Sequence, residues 1–272
     1  MEKKQVLSDR GVCYYWIYRN PSISQQKWIF FCHGLMADHT LFEKQFDFWS
    51  KNYNLIAWDM PLHGESKIYY KFTLENAALE IKAILDAENI EKCILMGQSV
   101  GGYVCQVFAS KYPEHTEAFI GIGATSLDKS YYTITDLWAM RLFPLFAKRY
   151  PYGLFCRKSV NDVAYTPHGQ SHFYKSLLQL GRYSTKQAVK SVFAAIMYTL
   201  KRQHFPLPDI PILLVVGEYD RLGFVKRQNI QWAKRAKLPL LILKNAGHNT
   251  NYDNFDEFNA KVGEYFNELP RN

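Results

Sequence analysis

No stretch of this chain is long and apolar enough to span a bilayer as a helix. The first residues, Met1-Glu2-Lys3-Lys4-Gln5-Val6, lack the apolar run of a signal peptide. Cysteine is scarce. Cys13, Cys32, Cys93, Cys105 and Cys156 are odd in number, scattered, and outside any metal-ligand spacing. That argues against a disulfide framework and against a zinc site, and for buried thiols in a reducing cytoplasm. Internal repeats and low-complexity linkers are absent as well. A recognisable nucleic-acid motif is also missing, so no nucleic-acid partner is expected.

What remains is an ordinary globular composition, 48% hydrophobic and 21% charged over 272 residues. This is enough for one α/β domain carrying an insertion. The net charge of +8 is unevenly placed. Residues 126–205 hold 12 Lys and Arg against 3 Asp and Glu, and the rest of the chain is close to neutral. A basic middle attracts anionic substrates or an anionic surface. The plainer reading is a solvated exterior that keeps the protein soluble.

Continuous apolar runs at Trp28–Cys32, Asn54–Trp58, 93–96 and 212–216 each end in a short polar turn. They suit parallel strands covered on both faces. Shorter runs at 119–122 and Leu240–Leu243 are of the same kind, and 13–18 reads as an N-terminal edge strand. Helix patterns fall between them. Thr73 caps one that runs to Glu88, a second spans Val100–Lys111, and Asp253 or Asn254 caps the last. The alternation predicts a mostly parallel, doubly wound sheet. Residues 126–205 break the rhythm with helical pieces at 134–145 and 184–201, the latter opening on Ser184-Thr185-Lys186-Gln187. The expected organisation is a core of residues 1–125 and 206–272 with a helical cap at 126–205.

The stretch Met96-Gly97-Gln98-Ser99-Val100-Gly101-Gly102 carries the chemistry. Gly-x-Ser-x-Gly between a strand and a helix is a nucleophile elbow. Its serine sits on a strained turn, and Gly97 and Gly101 let strand and helix cross closely. A serine hydroxyl needs a base, and the base needs an orienting carboxylate. Asp220 and His248 supply them in the required chain order, each just past the carboxyl end of a predicted strand. Glu218 and Asp128 are weaker contenders for the acid. Asp209 precedes its strand and lies at the wrong end. The oxyanion needs two backbone donors, expected from Val100 and from Leu35, with Met36 as the fallback. His33 is expected to hold its loop by hydrogen bonds. In Asp59-Met60-Pro61-Leu62-His63-Gly64-Glu65-Ser66, Pro61 and Gly64 set a turn while Asp59 and Ser66 bind backbone amides.

On these marks the chain resembles the α/β-hydrolase superfamily, in particular small single-domain serine hydrolases with a helical cap inserted after the sixth strand. The marks are His33-Gly34, Asp59-x-Pro-x-His-Gly-x-Ser66, Gly-x-Ser99-x-Gly-Gly, Gly217-x-x-Asp220 and Gly247-His248. One departure is Leu62, where the family's loop often has glycine. The resemblance implies acyl transfer to water through Ser99, His248 and Asp220, with no metal or organic cofactor and a small-molecule acyl substrate as partner. The aromatics Tyr131, Tyr132, Trp138, Phe143, Phe146, Tyr150, Tyr152 and Phe155 line an acyl or aryl pocket or form the cap's own core. Hydrolysis of small to medium carboxylic esters is the leading expectation. Two rivals stand beside it. One is carbon–carbon cleavage or elimination on an anionic, dicarbonyl-like substrate, for which Arg141, Arg149, Arg157 and Arg182 are the candidate binders. The other is a slow-turnover ligand receptor or signalling partner.

Overall fold

A computed structural model describes residues 1–23, 27–202 and 204–269. Residue 203 of the expected cap and residues 24–26 and 270–272 of the expected core lie outside the described residues. Eight strands form one sheet: β1 (Glu2–Ser8), β2 (Gly11–Tyr18), β3 (Trp28–Cys32), β4 (Asn54–Trp58), β5 (Cys93–Gln98), β6 (Thr116–Ile122), β7 (Ile212–Gly217) and β8 (Leu240–Leu243). Their order is β1-β2-β4-β3-β5-β6-β7-β8. β2 is antiparallel to both of its neighbours, and every pair from β4 to β8 is parallel. The outermost strand is β1, so the run at 13–18 is the second strand and not an edge. In β1 only Val6 is buried, among Lys3, Lys4 and other polar residues. That pattern suits a charged edge that discourages further pairing.

Along β3 the side chains alternate across the sheet, as strand geometry requires. Ile29 and Phe31 join one core layer, and Phe30 and Cys32 join the other. The second layer also takes residues of α2 (Leu74–Ala87), α3 (Val100–Lys111) and α7 (Val225–Ala236). The first takes those of α1 (Glu43–Trp49), α8 (Thr250–Asp253) and α9 (Phe255–Glu268). Thr73 caps α2, accepting from the Asn76 amide, and Asn254 rather than Asp253 caps α9, accepting from the Glu257 amide. All five cysteines are buried and free.

Among the described residues between β6 and β7 the regular structure is helical: α4 (Ile134–Arg149), α5 (Tyr152–Val163) and α6 (Pro167–Arg202), with one short turn of 3-10 helix before them. Thr133 caps α4 in a reciprocal box with Asp136. α6 breaks at Gly181, whose φ of +76° and ψ of 163° leave the helical region. The predicted helix at 184–201 is therefore the second half of α6. Its first half and all of α5 were missed. Yet α5 buries Phe155, Cys156, Ser159, Val160 and Val163, which is helical spacing. Gly153 and the polar Arg157-Lys158 pair masked it.

Candidate active site

The turns after β3, β5, β7 and β8 meet at the carboxyl end of the sheet. Ser99 joins β5 to α3 with φ of 52° and ψ of −118°, a conformation non-glycine residues rarely adopt. Its amide donates to the Ile122 carbonyl at 2.8 Å. The turn closes only because its neighbours are small. A Cβ on Gly101 would lie 2.1 Å from the Cys32 carbonyl oxygen, and one on Gly102 would lie 2.3 Å from the Ala124 Cβ. Gly34 also has to be bare, because a Cβ there would stand 2.0 Å from Gln98 Oε1 and 3.0 Å from the Ser99 Cβ. The His33-Gly34 loop thus lies directly against the elbow.

His248 and Asp220 are brought together. The imidazole Nδ1 is 2.8 Å from Asp220 Oδ2, with side chains only 3% and 0% exposed. Asp220 Oδ1 accepts from the Leu222 amide at 3.0 Å. Nδ1 carries the proton in this pair, because a carboxylate only accepts. In the neutral ring Nε2 then holds a free lone pair, and it is buried with no hydrogen-bond partner. Gly123 makes room for the ring: its φ is +53°, and a Cβ would lie 2.9 Å from Nδ1. Of the other acids considered, Asp128 is exposed and caps a short turn. Glu218 uses its carboxylate and its carbonyl on Asn245 and Lys226.

Ser99, Val100, His248, Leu35 and Met36 all line one cavity of about 620 Å³. Val100 opens α3, so its amide points out of the helix end, and neither it nor the Leu35 amide has a hydrogen-bond acceptor among the described residues. Met36 has φ of +65°, within a turn closed by the Ala37 amide on the Gly34 carbonyl.

His33 holds the loop as expected. Nδ1 donates to its neighbour's Gly34 carbonyl at 2.8 Å, and Nε2 accepts from the Met60 amide at 2.9 Å. Burial pushes its pKa below the usual value. Asp59 ties two loops, accepting from the His39 and Glu65 amides at 2.9 and 2.7 Å, and Ser66 Oγ accepts from the Tyr14 amide. Leu62 keeps a left-handed backbone, φ +74°, despite its side chain. The loop conformation therefore survives the departure from glycine. Burial, with His33 beside it, pushes the pKa of His63 down to about 3.

Three contributors were not read from the sequence. Gln98 Nε2 donates to the His248 carbonyl and to Asn249 Oδ1 at 3.3 and 3.2 Å, bridging the serine and histidine turns. Its place inside Gly-x-Ser-x-Gly was the available signal. Asp253 accepts from the amides of Gly247, Tyr165 and Thr166 at 2.8, 2.9 and 3.0 Å, and from the Thr166 hydroxyl at 2.5 Å. It joins the His248 turn to the link between α5 and α6, and no local pattern announces it. At the cavity wall, the hydroxyls of Tyr103, Thr125 and Tyr132 form a closed triangle with separations of 2.5 to 3.0 Å.

The expected pocket aromatics divide. Phe143, Phe146, Tyr150 and Phe155 line the cavity. Tyr152 instead donates to the Leu177 carbonyl, Tyr131 lies under Arg235, Tyr132 packs on Phe224, and Trp138 is exposed. Arg141, Arg149, Arg157 and Arg182 are all exposed, and none lines the cavity. As binders of an anion inside it, these four are ruled out. A helix face that meets solvent carries its long basic side chains outward.

Residues 27–255 match the sequence profile of the alpha/beta hydrolase fold. The chain belongs to that family. Within it, the chain is 25% identical over 217 residues to the uncharacterized hydrolase YugF of Bacillus subtilis, covering 77% of each. It is 23% identical over 232 residues to the pimeloyl-[acyl-carrier protein] methyl ester esterase of Neisseria meningitidis serogroup B, covering 82% of this chain and 86% of that one. A thermophilic esterase from Thermogutta terrifontis shares the fold with a TM-score of 0.78 at 16% identity, over 99% of both chains. Its family, together with its likeness to a hydrolase and an esterase over most of its length, makes the chain a hydrolase. No helix among its described residues is long and apolar enough to cross a membrane.

Proposed function

We propose that this protein hydrolyses carboxylic esters whose acyl or aryl part is apolar, with Ser99, His248 and Asp220 as catalytic triad. The observation that carries the reading is His248 Nε2, a buried basic nitrogen without a partner in the cavity that Ser99 lines. His248 takes the Ser99 proton as Oγ attacks the ester carbonyl, and the electron pair of the C=O moves onto oxygen. The amides of Leu35 and Val100 bind that oxyanion, helped by the positive end of α3. Collapse expels the alkoxide, which takes the proton from His248. Water then attacks the acyl-enzyme by the same route and frees the acid. Asp220 holds the ring in the tautomer that leaves Nε2 unprotonated and stabilises the imidazolium that forms. The esterase named among the relatives supports an ester as substrate.

The cavity walls suit an apolar group: Met140, Phe143, Phe155, Phe193, Ile196 and Phe224 line the cavity that Ser99 also lines. The test is a nitrophenyl-ester panel together with fluorophosphonate labelling. Wild type should turn over these esters and be labelled at Ser99. Ser99→Ala should lose at least about 10⁴-fold in kcat and all labelling. Absence of both turnover and labelling in the folded wild type overturns the reading.

A further inference from the structure

The exposed side of α4 gathers large apolar side chains in one place. Ile134 is 75% exposed, Trp138 55% and Phe146 67%, and Leu142 and Leu145 lie on the same side. At 100° per residue these five fall within one arc of the helix, and Arg141, Lys148 and Arg149 fall on or beside it. The helix buries little in return, only Asp136, Met140 and Ala147. Asp136 is its one acidic residue, and it is paired with Arg227 at 2.6 Å. The exposed face therefore presents bulky apolar groups and positive charge with no negative charge. Arg141 lies 5.7 Å from the centre of the Trp138 ring, so charge and aromatic surface point the same way.

A second observation links this face to the site. Leu142, Phe146 and Tyr150 are exposed and also line the cavity that holds Ser99. The apolar face is thus continuous with the cavity mouth. Water is a poor solvent for such a surface, and a large exposed apolar patch marks a binding site. Trp, Phe and Leu with interspersed Lys and Arg fit the headgroup–acyl boundary of a bilayer, where rings sit among chains and cations meet anionic headgroups. Residues 126–205, which contain α4, carry the basic excess of the whole chain.

We infer that α4 docks the protein on an anionic lipid surface, with the cavity mouth facing the acyl layer. The substrate is then an ester whose acyl chain is drawn from that surface. That substrate rests on the ester-hydrolase reading above, whereas docking itself does not.

Co-sedimentation with phosphatidylcholine vesicles, with and without phosphatidylglycerol, tests it. Wild type should pellet with the anionic vesicles, weakly with the neutral ones, and less as salt rises. Ile134→Ser/Trp138→Ser/Leu145→Ser should weaken binding at least tenfold. Arg141→Gln/Lys148→Gln/Arg149→Gln should weaken it by about fivefold per charge removed. None of these six residues lines the cavity, so both variants should hydrolyse a short soluble nitrophenyl ester as wild type does. Ser99→Ala should pellet normally. Docking is overturned if wild type fails to pellet, if neutral vesicles bind it equally, or if both variants bind unchanged. It is also overturned if sedimentation velocity finds a stable dimer that the apolar variant disperses, because a second copy then covers the face. Docking without turnover of any ester leaves the surface assignment standing and overturns the hydrolase reading. Soluble-ester turnover without docking does the reverse.

Discussion

The turns at the carboxyl end of the sheet and the helices between β6 and β7 are built on opposite terms. In the turns, polar groups are buried and tied down: Asp59, Asp220, Asp253 and His33 each hold identified partners, and glycines stand where a single methyl group would collide with backbone. On α4 and α5 the reverse holds. Large apolar side chains face outward, and Gly153 has nothing within 4 Å of the position a Cβ would take. These partners hold the turns in place, because a buried polar atom that loses its partner is costly. α4 buries only Asp136, Met140 and Ala147 and leaves much of its apolar surface outside.

That contrast can be broken or sharpened by substitution. The largest effect is expected at the elbow. Gly101→Ala drives a methyl group into the Cys32 carbonyl, and urea unfolding should show a loss of about 3 kcal/mol or more. A stability close to wild type would mean the crossing of β5 and α3 is looser than the contact distances indicate.

Next comes the joint between the two regions. Asp253→Asn replaces an acceptor with a donor facing amide donors. It should cost about 2 kcal/mol in urea unfolding and lower kcat roughly ten- to hundredfold through displacement of the His248 turn. If stability falls and kcat on soluble esters does not, Asp253 is a structural tie only.

Acid is the third probe, and within the turns it acts on His63. The pKa of His63 falls from the usual 6.5 to about 3 on folding. Between those values the unfolded chain binds the extra proton, so stability is full above pH 6.5 and declines as the pH falls towards 3. One group contributes about 1.4 kcal/mol per pH unit, or about 2 kcal/mol at pH 5. Thermal unfolding at pH 7 and 5 should show the loss, and His63→Asn, which keeps a donor for the Pro61 carbonyl, should flatten it. An unchanged slope in the variant would assign the acid sensitivity elsewhere.

The smallest effect belongs to the helices. Gly153→Ala meets open space within α5 and should stabilise by about 0.5–1 kcal/mol in thermal unfolding, with ester turnover unchanged. A destabilisation would show that this region is packed more tightly than its exposure suggests.

The same contrast governs what was legible beforehand. Strands β3, β4, β5 and β7 announced themselves as apolar runs because both faces are covered and every residue is buried, as is the end of β6 from Ala118. β8, at the far edge of the sheet, showed as an apolar run although Ile242 is 45% exposed. α2 and α9 announced themselves by their caps, and α3 by the serine turn before it and Pro113 after it. β1 did not, since only one of its seven residues is buried. Nor did α5 and the first half of α6, where exposed aromatics and leucines blur the apolar stripe. Asp253 and Gly123 were invisible as site residues, because the first acts on residues 87 and 88 positions away and the second only makes room for a ring from another turn.

Local chemistry in the sequence determined the strained serine turn, the order of serine, acid and histidine, and the parallel sheet. Each depends on residue types within a few positions or on burial from both sides. Only the tertiary structure decided which acid meets His248, which aromatics enter the cavity, and that the four arginines point away from it. Those outcomes depend on where separate segments come to rest, and that is set by packing between distant parts of the chain.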